Sequence, residues 1–322
     1  MIYLIDASVY VFRAYHSLPP DMVDRDGNPG HAVFGFARML GDLPEQARPK
    51  HIAVAFDRSL MKCFRNQIFP AYKAHRDPPP ADLEFQFDRC MELCAALGVT
   101  ALSSSDYEAD DIIGTLVTRF RQDGVRSTVI TRDKDLAQLI REGDVYWDFG
   151  RPPYSYHDIE RHFGVMPERF ADYLALTGDS VDNIPGVPGV GPKTAMALMK
   201  EFASIDEMFG DLDRVAGLQI RGAVGLGDRL RQHRDACYMA RKLTAIACDM
   251  PLELGSEGVK RRSPDLAAVN RFYDRQGFGP FLRKQAERIV NAFEAMAVVV
   301  SPAAAPPSPS RSPGPLQIPL AL

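Results

Sequence analysis

The 322-residue sequence is poor in cysteine, has a single tryptophan and only seven histidines, and carries no excess of positive charge. Each shortage excludes something. The five cysteines, at 63, 90, 94, 237 and 248, are odd in number and lack paired spacing, which argues against a disulfide framework. Cys90 and Cys94 stand four apart on a predicted helix, but no second Cys or His pair accompanies them at zinc-site spacing, so they read as buried thiols. No stretch reaches the roughly 18 apolar residues that cross a bilayer. The N-terminal MIYLID reads as a strand rather than a charged-then-apolar leader. A cytoplasmic chain with no membrane partner is the expectation.

A net charge of −4 does not advertise nucleic-acid binding, yet its distribution is uneven. Arg58, Lys62, Arg65, Lys73 and Arg76 form one basic stretch, and Arg221, Arg229, Arg231, Arg234, Arg241 and Lys242 another. Acidic residues gather at strand and loop ends. Basic patches beside an acidic pocket are the pattern this predicts.

In the first 150 residues short β-branched runs (Tyr3–Ile5, Ile52–Phe56, Val99–Leu102, Ser127–Thr131, Val145–Trp147) alternate with helical patterns such as Leu83–Leu97, which Gly98 stops. That alternation predicts a parallel sheet flanked by helices. Beyond residue 157 the strands disappear. Helices are predicted from Pro167 to Gly178, over Pro192–Glu201 and Asp228–Thr244, and from residue 264 with Ser263 as cap. From Ser301 the chain turns to Pro, Ala and Ser, a composition that predicts a disordered tail. The expected division is an α/β unit over 1–157, a helical unit over 158–292 and a tail over 301–322.

Several predicted strands lead to aspartate: MIYLID to Asp6, IAVAFD to Asp57, and STVITRDKD to Asp133 and Asp135. The run DYEADD adds Glu108, Asp110 and Asp111, with Glu108 and Asp111 on one face of a helix's first turn. In an open parallel sheet the carboxyl ends of the strands face one crevice. Helix-end acids are common for dipole reasons alone, but that account does not explain so many in one crevice. Two carboxylates about 4 Å apart repel by roughly 4 kcal/mol at an effective dielectric of ~20. Hard oxygen donors without His or Cys suit Mg²⁺ or Mn²⁺. Paired ions of this kind serve phosphodiester cleavage.

Thr177–Ala195, TGDSVDNIPGVPGVGPKTA, adds Asp179 and Asp182 and a glycine-rich turn. It is not a P-loop, because Pro192 intervenes before Lys193 and no strand precedes it. A helix–hairpin–helix fits better: Gly189 and Gly191 permit a tight turn, and Pro192 opens a helix whose free N–H groups can hold a phosphate beside Lys193.

The chain resembles the 5′-nuclease family, which includes the 5′→3′ exonuclease domain of bacterial DNA polymerase I, phage 5′ nucleases and flap endonucleases. The resemblance runs from residue 1 to about 290 through LIDASVYVFRAYH, VAFD, FRNQIFPAYKAHR, YEADDIIGTL, TRDKDLAQL and TGDSVDNIPGVPGVGPKTA. It is closest to stand-alone bacterial members. It implies a PIN-like α/β domain with a helical arch (about 58–97) and a helix–hairpin–helix region. It also implies a metal set of Asp6, Asp57, Glu108, Asp110, Asp111, Asp133, Asp135, Asp179 and Asp182 holding two or three Mg²⁺ or Mn²⁺ ions. Lys73, Arg76, Asp111 and Asp133 take catalytic roles in this reading. Arg13, Tyr72, Lys73, Arg76, Gly189, Gly191 and Lys193 contact substrate, with Tyr72 stacking on a nucleotide and K⁺ at the Gly186–Gly191 hairpin. The implied substrate is DNA with 5′ ends, flaps or nicks, cut by a monomer in the bacterial nucleoid, and the tail is open to a replication or repair partner. Two departures, Arg132 in place of a glycine and a longer Arg58–Cys63 loop, bear on substrate preference. Two other readings stay open: a PIN-type ribonuclease, which would not need the hairpin, and a non-catalytic DNA-binding protein, which would not need the carboxylates.

Overall fold

Alternation within the first two strands decides how the molecule is layered. In β1 (Ile2–Asp6), Ile2 and Leu4 join one apolar cluster and Ile5 the other. In the strand over His51–Asp57, Ala53 and Ala55 go one way and Ile52, Val54 and Phe56 the other. A strand buried on both faces must be covered by helices on both. The computed structural model describes residues 1–57, 63–220 and 222–300.

In chain order, β1 is followed by α1 (Ala7–Ser17), α2 (His31–Ala47), β2 (His51–Asp57), α3 (Phe64–Ile68) and α4 (Ala81–Ala96). Then come β3 (Thr100–Ser104), α5 (Ala109–Gln122), β4 (Ser127–Ile130), β5 (Val145–Trp147) and β6 (Tyr154–Ser155). The six strands lie in the order β3-β2-β1-β4-β5-β6, all parallel except β6, a short antiparallel edge strand that the sequence pattern did not reveal. The chain builds outward from β1 through β2 to β3, then crosses back to β4. The switch point therefore lies between β1 and β4, where open α/β sheets bind ligands.

The second half is helical, as expected: α6 (Tyr156–Phe163), α7 (Phe170–Thr177), a two-residue ladder of β7 (Gly178–Asp179) on β8 (Ile184–Pro185), α8 (Pro192–Glu201), α9 (Ile205–Gly210), α10 (Leu212–Ala216), α11 (Ala223–Gln232) and α12 (Arg234–Thr244). The predicted single helix over 228–244 breaks at His233, where no Gly or Pro marks the interruption. The helix predicted from 264 starts two residues later, as α13 (Leu266–Arg275), capped by Asp265 accepting from Ala268 N–H at 2.9 Å. Backbone bonds from Arg262 to Gly98 and from Asp265 to Ala96 hold 262–265 against the end of α4, which delays the start. The chain then runs into α14 (Pro280–Val300).

Two expectations change. The helical unit does not stay together over 158–292: α13 and α14 return to pack over α4 and α2, joining the cluster that contains Phe36, Phe56 and Phe87. Helices α7, α8 and α12 instead complete the opposite sheet face beside α5. The expected arch also narrows. Leu83, Phe87, Cys90, Leu93 and Cys94 bury α4 in the core, so 81–96 is a sheet-covering helix. The crossing segment is described over 63–80; residues 58–62, Arg221 and the 301–322 tail lie outside the described residues. Among the described residues no helix is long and apolar enough to cross a membrane.

Candidate active site

At the carboxyl end of the sheet one cavity of about 540 Å³ is lined by Asp6, Asp57, Glu108, Asp110, Asp133, Asp135, Asp179 and Asp182, together with Ser8, Lys73, Arg76, Arg132 and Lys134. Each carboxylate arrives from an element end. Asp6 ends β1 and caps α1, accepting from Ser8 N–H at 3.1 Å, while Thr131 Oγ1 donates to its other oxygen at 2.9 Å. Asp57 ends β2 and accepts from Ser8 Oγ at 2.8 Å and Ala109 N–H at 2.7 Å. Asp133 caps the 3₁₀ turn Lys134–Leu139 and accepts from Asp135 N–H at 2.9 Å. Asp179 and Asp182 come from the β7 turn after α7, so the helical half closes the crevice opened by the sheet.

Crowding shows in the acidities. Burial first, then the charges of Asp57 and Asp133, push Asp6 up to about 8. Asp110 is driven well above the carboxylate range by burial and by Asp133, Asp6 and Asp57. Burial raises Asp57, and burial with Asp133 raises Asp135 to about 7. Glu108 goes the other way: burial alone would raise it, but Lys73 and Arg65 beside it outweigh that.

Asp111 is a correction to the sequence reading. It is fully buried and does not line the crevice. Its two oxygens receive the Arg65 guanidinium at 2.7 and 2.8 Å, and Glu108 N–H (3.0 Å) and Ala247 N–H (2.9 Å) complete the set. The helix geometry is as predicted, since Glu108 and Asp111 do share a face, but what they share there is Arg65. Asp110, turned the other way, is the one that faces the cavity.

The crossing segment holds Tyr72, Lys73 and Arg76 against the acids. Tyr72 is buried, its hydroxyl 2.9 Å from Glu108 and 3.0 Å from Asp182, so the structure gives it no free face for the expected stacking on a nucleotide. Lys73 is 17% exposed and paired with Glu108 and, at 3.6 Å, with Asp182. It adopts φ +53°, a left-handed conformation unusual for a side chain of this kind, and its N–H donates to the Asp182 carbonyl at 3.0 Å. Arg76 reaches Asp182 at 2.6 Å. Arg13 is not in the crevice; it lines a separate cavity with Tyr10, Arg38 and Phe149 on the far side of α1.

Gly189, Gly191 and Lys193 lie at the α8 end of the hairpin. Gly189 has φ +77°, and a Cβ there would come 2.7 Å from Arg229 Nη1. Gly191 caps α8 in open space, with Lys193 exposed beside it. Gly186 is needed for a different reason, since a Cβ on it would meet the Thr177–Gly178 backbone at 2.3–2.4 Å. Sequence reasoning missed Ser8, Arg65, Thr131 and Lys134. Thr131 and Lys134 sit in TRDKD and Arg65 in the first basic stretch, but nothing local showed which acid each would meet.

The carboxylates supply oxygen donors alone, which suits hard divalent cations. Among the described residues no three of these side chains converge on a single ion as they stand. Lys73, Arg76, Tyr72 and Lys134 hold several of their oxygens and must yield to an incoming ion.

Residues 1–164 match the family described as 5′-3′ exonuclease, N-terminal resolvase-like domain, and 165–267 match its C-terminal SAM fold. A 5′-3′ exonuclease of Aquifex aeolicus is 33% identical over 266 residues, 82% of this chain and 88% of that protein. DNA polymerase I of Bacillus caldotenax is 36% identical over 287 residues, 87% of this chain but 32% of the polymerase. The chain thus spans about a third of the length of the polymerases it matches. Bacteriophage T5 5′-exonuclease, solved with divalent metal ions (zinc), superposes with TM-score 0.61 at 20% identity, over 90% of this chain and 98% of that one. The T5 flap endonuclease in a pseudo-enzyme–product complex with DNA and metal ions superposes equally well, at TM-score 0.61 and 20% identity, over 90% of this chain and 99% of that one. At these identities the superpositions establish the fold.

Proposed function

Since the chain belongs to the 5′-3′ exonuclease family, whose members hydrolyse DNA, we propose that it cuts DNA at 5′ ends or flaps with two divalent cations, Mg²⁺ or Mn²⁺, in the crevice. The observation that carries this reading is the convergence of eight carboxylates from both halves of the chain on one cavity. Bound there, divalent ions stabilise the attacking and leaving oxygens of a phosphodiester. The protein's own groups do the rest. Water attacks phosphorus in line with the leaving oxygen, the P–O3′ bond breaks, and the products carry a 5′-phosphate and a 3′-hydroxyl. Lys73 and Arg76, now on Glu108 and Asp182, transfer their hydrogen bonds to the non-bridging phosphate oxygens. Tyr72 holds a proton between the same two carboxylates. The hairpin, with Lys193 and the free N–H groups of α8, grips the duplex backbone without reading sequence. Action on cytoplasmic DNA follows.

The direct test is a 5′-labelled flap duplex with purified protein. Short labelled products are expected with Mg²⁺ or Mn²⁺ and none in EDTA, and single-stranded RNA should remain intact. No DNA cleavage with either ion would overturn the reading.

Stability should report the same crevice. Asp6, Asp57, Asp110 and Asp135 have raised folded-state pKa values. A raised acid stabilises the fold fully below its unfolded value of about 4, and that stabilisation is lost as pH rises through the folded value. The folded values are about 7 for Asp135 and about 8 for Asp6. Glu108, lowered, acts in the opposite sense and at lower pH. In EDTA the Tm is therefore expected to fall between about pH 5 and pH 8, with saturating Mg²⁺ flattening the slope. A Tm that rises over that range in EDTA would contradict a crowded, desolvated crevice.

A further inference from the structure

Lys134 lies in the crevice but belongs neither to the carboxylates nor to the crossing segment. Its Nζ sits 2.9 Å from Asp135 Oδ1 and 2.7 Å from Asp179 Oδ2, bridging an acid of the sheet half and one of the helical half. Asp179 is fixed in place, since its other oxygen accepts Val181 N–H at 2.8 Å. Lys134 is half-exposed at 45% and has room to leave, whereas Asp179 is 6% exposed and has none.

The crevice is thus electrostatically divided. Glu108 and Asp182 carry Lys73 and Arg76, and Asp135 and Asp179 carry Lys134. Among the described residues Asp6, Asp57, Asp110 and Asp133 have no cationic partner; where their oxygens are engaged, the donors are Ser8, Thr131, Ala109 N–H and Asp135 N–H. An oxygen already bonded to an ammonium has to be released before it can ligate a metal. Asp6, Asp57, Asp110 and Asp133 have no ammonium to shed.

We infer that Lys134 is a built-in counter-ion for the Asp135–Asp179 pair, displaced only when a second divalent cation binds, so that it sets the affinity of the weaker ion. The first ion goes to the side of Asp6, Asp110 and Asp133. This rests on the proposed divalent-ion chemistry. Two partly exposed ion pairs are each worth well under a tight buried one. Their removal is therefore expected to tighten the weaker ion by about tenfold, equivalent to about 1.4 kcal/mol.

The test uses the full chain and Mn²⁺ alone, counting free Mn²⁺ by electron paramagnetic resonance. Wild type is expected to bind two ions of distinct affinity. Lys134→Met and Lys134→Gln should tighten the weaker about tenfold, and Lys134→Arg should not. Arg132→Met removes another positive charge lining the crevice, one paired with Asp148 rather than with Asp135 or Asp179, and should leave the weaker affinity within about twofold. Unchanged or weakened binding in both neutral Lys134 variants overturns the inference. So does equal tightening by Arg132→Met, which would reveal a general field effect. Failure of wild type to bind Mn²⁺ at all overturns the divalent-ion reading itself, a result distinct from the other two.

Discussion

Asp133→Asn is expected to slow single-turnover cleavage of a flap duplex by at least about 10³-fold while leaving DNA affinity within a few-fold. Loss of several kcal/mol of transition-state charge stabilisation corresponds to that factor. The substitution is close to isosteric. Asp133 caps the turn at Lys134–Leu139 by accepting Asp135 N–H, and asparagine caps equally well. It also removes one negative charge whose repulsion, after burial, helps push Asp6 and Asp110 above the carboxylate range. Neither stability nor attraction for phosphate should suffer. Fluorescence anisotropy on the labelled flap gives affinity and quenched-flow gives rate, and a rate within tenfold of wild type would remove Asp133 from the chemistry.

Arg65→Met should act through a different quantity. Arg65 is 3% exposed, and its guanidinium is shared between Asp111, Glu108 and the carbonyls of Leu243 and Ala245. Removing it strands the fully buried Asp111 carboxylate and two backbone acceptors. Breaking one side of a buried pair costs about 3–5 kcal/mol, visible as a shift in the urea midpoint. Removing both charges, as Arg65→Met with Asp111→Leu, should recover part of the loss, because an apolar pair no longer leaves a charge unpaired. Asp111→Asn alone separates the two roles this residue has been given. A metal ligand would lose activity with stability intact, whereas the observed contacts require the stability to fall. Arg65 also binds Glu108, so the single variant is expected to lose cleavage beyond what its reduced folded fraction explains.

Asp110 and Asp111 show where sequence stops being sufficient. The spacing of EADD places Glu108 and Asp111 on one face, and the structure agrees. It does not say that this face meets Arg65, 46 residues earlier, and the α12 exit loop rather than the crevice. Helical phase is local; the identity of the facing surface is not. Tyr72 makes the same point. The resemblance implied a ring stacking on a nucleotide, but the segment folds down so that its hydroxyl finds two carboxylates. Ser8 and Thr131 went unnoticed because a small hydroxyl has no pattern until its acceptor is known.

By itself the sequence determined the parallel sheet, from β-branched runs alternating with helical ones; the switch-point crevice, from aspartates at strand ends; and the hairpin, from glycines where backbones meet or φ is positive. These are short-range properties, set by side-chain periodicity and backbone sterics. Only the tertiary structure decided which of nine acids share the cavity, that four cationic side chains line it with them, and that α13 and α14 return to the first half. Those outcomes depend on long-range contacts, where a buried charge must find its partner wherever the packed chain brings one.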